Sequence, residues 1–318
     1  MFPRSSAPLK LEQVLSYLAQ LNLPQPNSRK GENGKLLIIG GSNLFHAASR
    51  WSLEIASKLV DMVFYSSVPS NNRLISQAKQ EFWNGIVVSR NDLENYLREA
   101  DCILIGPGME RQPLASDYHH QSREFYLQHP PGKEDWENST QKISNYLLAK
   151  YQAKKWVIDA GALQMIDPLL LNSNCIITPH HKELEILINN TTDGKISNQE
   201  KPTSLEDISQ KLGCCSILLK GQVDQIIYQQ QTYFIQGGNA GLTKGGTGDV
   251  LAGLLAGLYT VNEALPSMIA ASFVNKAAGD KLFSQVGPFY NATNLVETIP
   301  QVLWSLLSNQ GRKNNPGN

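Results

Sequence analysis

Eight short apolar, β-rich runs recur along this chain, separated by stretches of helical pattern, and that rhythm limits the fold more than any other feature. The runs lie at 35–39, 62–65, 85–88, 102–105, 156–158, 175–177, 216–219 and 225–228. Several are apolar without alternation, as expected of strands covered on both faces. Strands alternating with helices predict an α/β fold, a doubly wound and mostly parallel central sheet with helices on both faces. The 318 residues, 41% of them hydrophobic, suffice for one large domain of this kind with a sizeable core. The expected organisation is a short amphipathic helix and connection at 1–29, the main domain at 30–309, and a disordered tail at 310–318. A polar stretch at about 111–141, with little periodicity, is read as a surface insertion.

Composition excludes several functions. Lys plus Arg and Asp plus Glu both number 28, so the formal net charge is zero. Such a balance gives no electrostatic footprint for nucleic acid or an anionic membrane. No apolar stretch approaches the ~20 residues needed to span a bilayer, and the first residues lack a signal-peptide core. Cys214 and Cys215 are adjacent, which suits neither a disulfide framework nor a zinc site. Cys102 and Cys175 open apolar runs and read as buried hydrophobes. The chain is therefore expected to be reduced and cytoplasmic. His119 and His120 are adjacent, but no third ligand is evident nearby, so no metal site built from the chain's own side chains is predicted.

The chemistry is concentrated in one segment, GGNAGLTKGGTGDVLAGLLAGL, at 237–258. Glycine at this density before a helix lets backbone N–H groups approach a bound anion, and the helix N-terminus adds its positive end. The segment is neither a Walker A loop nor a GxGxxG turn in a first βα unit. Instead it places a carboxylate, Asp249, beside the amides. That suits removal of a proton from a hydroxyl attacking a phosphate. A helix-start acid favoured only by the dipole is the plainer alternative. Gly253 and Gly257 stand four apart and predict close helix packing.

GGTGD followed by an apolar helix resembles the anion hole and catalytic base of the ribokinase-like superfamily. The longer NAGLTKGGTGDVLAGL resembles one branch, the ADP/ATP-dependent NAD(P)H-hydrate dehydratases. Five further segments occur in the order found in that family: KGENG with LLIIGGS at 30–42, CILIGPGM at 102–109, VIDAGAL at 157–163, ITPHHKELE at 177–185 and LKGQVD at 219–224. Three departures stand out. His46 replaces a glycine, His181-Lys182 replaces Pro-Gly, and Asp224 replaces a threonine.

The resemblance implies a single ribokinase-like domain and a lyase acting in metabolite repair, the nucleotide-driven dehydration of NADH hydrate or NADPH hydrate. ADP is the expected phosphoryl donor, ATP the alternative, with Mg²⁺ between the nucleotide phosphates. Asp249 is implied as the catalytic base. Lys220, Gly221, Gln222, Val223, Asp224, Gly245, Gly246, Thr247 and Gly248 are implied to bind nucleotide. Ala47, Gly108, Asp159, His180, Asn239 and Asp249 are implied on the substrate side. Taken residue by residue, Asp159 and His180 could equally cap helices. The family also implies a homo-oligomer, a tetramer, and a separate NAD(P)H-hydrate epimerase as partner. Two other readings stay open: a kinase for a vitamin precursor or sugar, and a nucleotide-binding protein without catalysis.

Overall fold

The computed structural model describes residues 7–78, 82, 84–111, 120–190 and 204–313. Nine strands form one sheet: β1 (Lys35–Ile39), β2 (Met62–Ser66), β3 (Ile86–Val87), β4 (Cys102–Ile105), β5 (Lys155–Ile158), β6 (Cys175–Ile177), β7 (Ser216–Leu219), β8 (Val223–Tyr228) and β9 (Gln231–Gln236). Their order is β3-β2-β1-β4-β5-β6-β7-β8-β9. All pairs are parallel except β7–β8 and β8–β9, which close the sheet as antiparallel hairpins. All eight runs of the sequence form strands, with shifts of one or two residues at some ends, and β9 follows as a ninth.

Alternate strand residues feed two cores, because successive side chains point to opposite faces. Leu36, Ile38, Leu104, Val157 and Ile176 pack on one side beneath helices Ala47–Ala56, Thr247–Val261, Ala264–Val286 and Ala292–Lys313. Leu37, Ile39, Ile103, Ile105, Trp156 and Ile158 pack on the other, beneath helices Leu93–Glu99, Thr140–Lys150, Ala160–Met165 and His181–Asn190. Burial on both faces explains the missing alternation in the sequence. Gly253 and Gly257 do set a close helix contact. A Cβ on Gly253 would lie 2.6 Å from the Ser52 backbone, and one on Gly257 would lie 2.8 Å from Leu59.

The short helix expected near the N-terminus forms, and the last described residues are more ordered than their composition suggested. The first helix, Leu11–Leu18, buries Val14 and Leu18 in the main core, so it is part of this domain's packing. At the other end the Ala292–Lys313 helix continues through 310–313, where disorder was expected. Residues 314–318 lie outside the described residues. The polar stretch at 111–141 is likewise partly structured. Ser122 caps a helix at Arg123–Gln128, a short helix follows at Asp135–Asn138, and Tyr126 donates to Asp167 at 2.8 Å. These helices are too short to show periodicity. Residues 112–119, including His119, lie outside the description, and the His120 ring pairs with Asp167 at 2.8 Å.

Candidate active site

β1 lies between β2 and β4, so chain order reverses there, and such a point opens a crevice at the carboxyl ends of the strands. The two glycine turns named in the sequence meet in this crevice. Gly41 donates its N–H to the Pro107 carbonyl at 2.7 Å. Gly106 has φ +122°, and a Cβ there would lie 1.8 Å from the Asp159 carbonyl oxygen, so only glycine fits. The fold therefore requires part of the GPG turn whatever it binds.

A cavity of about 720 Å³ fills the crevice, a size usual for small-molecule sites. Ala47, Gly108, Gly245, Gly246 and Asp249 of the expected site line it together. His46 also lines it, in place of the family's glycine. Its Nδ1 faces Asn71 Oδ1 at 3.2 Å, which fixes the ring. Trp51, Met109, Arg111 and Ala160 are among the other lining residues, none of them expected as site residues. The sequence carries a weak signal for Ala160 only, next to Asp159 at a strand end. Its φ is +46°, a costly backbone for alanine of the kind that gathers at functional sites.

Asp249 sits in the first turn of the Thr247–Val261 helix, whose N-cap Gly246 offers no side-chain cap. Amide groups of that turn consequently lack intrahelical acceptors. Ser52 holds the turn by donating to the Asp249 carbonyl at 2.7 Å. The Thr247 hydroxyl donates back to the Leu242 and Lys244 carbonyls, and Lys244 is tied to the Tyr290 carbonyl at 2.6 Å. The loop is thus braced from behind, leaving its glycine face toward the crevice.

The electrostatics single out Asp249. Burial, reinforced by the neighbouring Asp159 charge, raises its carboxyl to about 7, although Lys220 opposes the rise. A carboxyl there is matched to proton abstraction near neutrality. Asp159, which is 2% exposed, stands at the N-cap position of the Ala160–Met165 helix yet does not cap it. Its Oδ1 accepts from Thr178 at 2.7 Å and from Lys220 Nζ at 2.9 Å. Lys220 Nζ lies 4.0 Å from Glu183 as well. The pull of Asp159 and Glu183 raises the Lys220 ammonium against the effect of burial, so it stays charged. Three carboxylates thus surround one lysine.

Other expected residues lie around this centre. His180 does cap a helix: its Nδ1 accepts from the Glu183 N–H at 3.2 Å, and its own N–H donates to Glu183 Oε2 at 2.9 Å. The ring remains half exposed, and its Nε2 lies 3.7 Å from Glu183 Oε2. Gly248 and Lys220 adjoin, a Cβ on the former being 3.7 Å from Nζ. Asp224 is spent on the fold, accepting from Gly221 N–H and Ser272 and pairing with Lys276 at 3.2 Å. Asn239 accepts from Gly241 N–H and Tyr290 and donates to Asp280, bracing the glycine turn. Gln222 and Val223 lie at the turn into β8.

Two adjacent glycines separate structural need from ligand need. Gly246 has φ +95°, and a Cβ there would lie 2.3 Å from the Trp51 ring, whereas a Cβ on Gly245 would meet nothing within 4 Å. Gly246→Ala is expected to destabilise the protein by about 1–3 kcal/mol in urea melts. Gly245→Ala is expected to stay within about 0.5 kcal/mol of wild type in the same melts, so a loss of function in it would report on a ligand and not on the fold.

A family model described as NAD(P)H-hydrate dehydratase matches residues 36–301. The bifunctional NAD(P)H-hydrate repair enzyme Nnr of Methanocaldococcus jannaschii is 33% identical over 305 residues, 93% of this chain and 54% of that one. The chain thus spans about half the length of that relative. The ADP-dependent (S)-NAD(P)H-hydrate dehydratase of Nitrosopumilus maritimus is 30% identical over 289 residues, covering 87% of this chain and 90% of the other. Among solved structures, a ribokinase-like superfamily protein of Enterococcus faecalis aligns with TM-score 0.71 at 20% identity, covering 96% and 98% of the two chains. With its ribokinase-like fold, its crevice and its motif order, the chain belongs to the NAD(P)H-hydrate dehydratase family.

Proposed function

We propose that the protein dehydrates the hydrated form of NADH or NADPH, using a nucleotide as phosphoryl donor. The single observation that carries this reading is Asp249, whose carboxyl is raised to about 7 on the wall of a 720 Å³ cavity, beside Gly245 and Gly246 at a helix N-terminus. Asp249 takes the proton from the hydroxyl on the reduced nicotinamide ring. The hydroxyl oxygen then bonds to the terminal phosphorus of the nucleotide, and the bond to the departing nucleotide breaks. Next the ring C–O bond breaks, phosphate leaves, and the adjacent carbon loses a proton, restoring the dihydronicotinamide double bond. With ADP the other products are AMP and phosphate; with ATP they are ADP and phosphate.

Backbone amides of Gly245, Gly246, Thr247 and Gly248 stabilise the charge on the transferred group. Lys220 and Gly221, at the end of β7, face the nucleotide side of the crevice, with Gln222, Val223 and Asp224 shaping the turn. Ala47, Gly108, Asp159, His180 and Asn239 form or brace the substrate side. Among the described residues no cluster of three or more metal-type ligands stands ready. Three carboxylates around one lysine leave an excess of negative charge that suits a cation brought in by the nucleotide. Asp159 and Glu183 would be the carboxylates available to hold Mg²⁺, which would neutralise the phosphates. ADP is the preferred donor in this reading, the partner is an NAD(P)H-hydrate epimerase, the chain works as a homo-oligomer, and its compartment is the cytoplasm. No helix among the described residues is long and apolar enough to cross a membrane.

The test is the near-ultraviolet absorbance of dihydronicotinamide when protein meets NADH hydrate, Mg²⁺ and either ADP or ATP. A nucleotide-dependent rise is expected, faster with ADP. No rise with either nucleotide, or a stable phosphorylated product, would sink the dehydratase reading in favour of a kinase.

A further inference from the structure

Next to the Asp249 cavity, and sharing Met109 with it, lies a second pocket of about 220 Å³. Gly41 and Ser42 after β1, Arg90 after β3, and Ser139 and Thr140 at the start of the Thr140–Lys150 helix form its walls. The Nε and Nη1 atoms of Arg90 are buried and have no hydrogen-bond partner. Burial lowers the guanidinium to about 10, which still leaves it charged at neutral pH. A buried charge without a partner is costly, and folds keep one where something else satisfies it. Glu110 and Glu137 line the same pocket, yet neither comes within the 4.0 Å of an ion pair with Arg90.

The chemistry required of an occupant follows. A guanidinium fork matches the paired oxygens of a phosphoryl or a carboxylate group. The amide end of an 11-residue helix faces the same space and adds to the preference for negative charge. The volume falls below the ~300–1,000 Å³ of pockets for drug-sized ligands, so a phosphoryl group fits and a nucleoside does not. In a dinucleotide the phosphates are tethered to the ring that reacts, and the two pockets adjoin at Met109. We propose that the Arg90 pocket is a phosphate subsite, holding a phosphoryl group of the dinucleotide whose reduced ring lies at Asp249. The subsite rests on reading the larger cavity as the dinucleotide's. Glu110 and Glu137, unpaired with Arg90, are acceptors for the ribose hydroxyls next to that phosphate.

The test measures NADH binding by its own fluorescence in wild type, Arg90→Gln and Arg90→Lys, with ATP binding measured separately. Arg90→Gln is expected to weaken NADH binding about tenfold or more, the loss of a charged hydrogen-bonding partner, with ATP affinity unchanged. Arg90→Lys is expected to fall between. The KM for NADH hydrate rises in step while kcat holds. Unchanged NADH affinity in Arg90→Gln overturns the subsite, as does an equal loss of ATP affinity. Should that variant fail to fold, wild type decides: with ATP bound, inorganic pyrophosphate is expected to displace NADH. Failure to displace it, or pyrophosphate binding alongside NADH as a free anion would, overturns the proposal. Wild type that binds NADH but dehydrates nothing removes the dehydratase reading and leaves the subsite to the binding data.

Discussion

Asp249→Asn is expected to lower turnover by roughly two to four orders of magnitude, the usual contribution of a positioned general base, and to raise thermal stability at the same time. The first effect follows from its place on the cavity wall; nucleotide binding is expected to persist, because the amides of the turn are unchanged. The second effect follows from the displaced carboxyl. Its ordinary value is 3.8 and its folded value about 7, so between those limits the folded state holds more protons than the unfolded one. Stability therefore falls as pH rises from about 4 through 7, and the penalty is complete above 7. Asparagine carries no such penalty. The variant's advantage is on the order of a few kcal/mol, since each unit is worth about 1.4 kcal/mol, and it should vanish below about pH 4. Melting curves at pH 5 and pH 8, set beside turnover, check both halves. A variant no more stable at pH 8 would contradict the burial of an ionised carboxyl. The same displacement makes wild-type kcat/KM rise with pH through about 7, as the carboxylate form of Asp249 accumulates.

The sequence made the sheet legible for a physical reason. Runs such as CILI and CII are buried on both faces and must be apolar throughout, so their signal survives without context. The place of Asp249 in the first turn of a helix was legible too, because the glycine run leads straight into an apolar helical stretch. What could not be read was anything set by tertiary packing. Asp224 stands in the nucleotide motif, but Lys276, 52 positions further along the chain, claims its side chain. His180 read equally as a substrate-side residue or a helix cap, and the coordinates show the cap. Arg90 belongs to no motif at all, and its unpaired burial arises because the turn after β1 and the Thr140–Lys150 helix close around it. The short helices at Arg123–Gln128 and Asp135–Asn138 are held by contacts such as Tyr126 to Asp167, not by periodicity.

Among the described residues Lys220 is the one lysine or arginine placed among Asp159, Glu183 and Asp249, and Lys220→Met tests how that charge balance couples stability to chemistry. The methionine preserves the stem and removes the ammonium, stranding carboxylates that are 2% and 5% exposed in their side chains. Breaking a buried pair on one side costs about 3–5 kcal/mol. The lysine side chain keeps 21% of its exposure, so the low end, about 3 kcal/mol at pH 8, is expected. Acid should relieve part of the loss, because Asp249, at about 7 and higher still without Lys220, is then protonated and needs no counter-charge. Chemistry should shift in the opposite direction. Lys220 holds Asp249 down against burial and the Asp159 charge, so its removal moves the acid limb of the pH–rate profile upward from about 7. A lysine acting only on nucleotide phosphates would raise the nucleotide KM and leave that limb in place. Movement of the limb together with acid rescue of stability would show that one buried ammonium sets both the fold's tolerance of its carboxylates and the basicity of the group that starts the reaction.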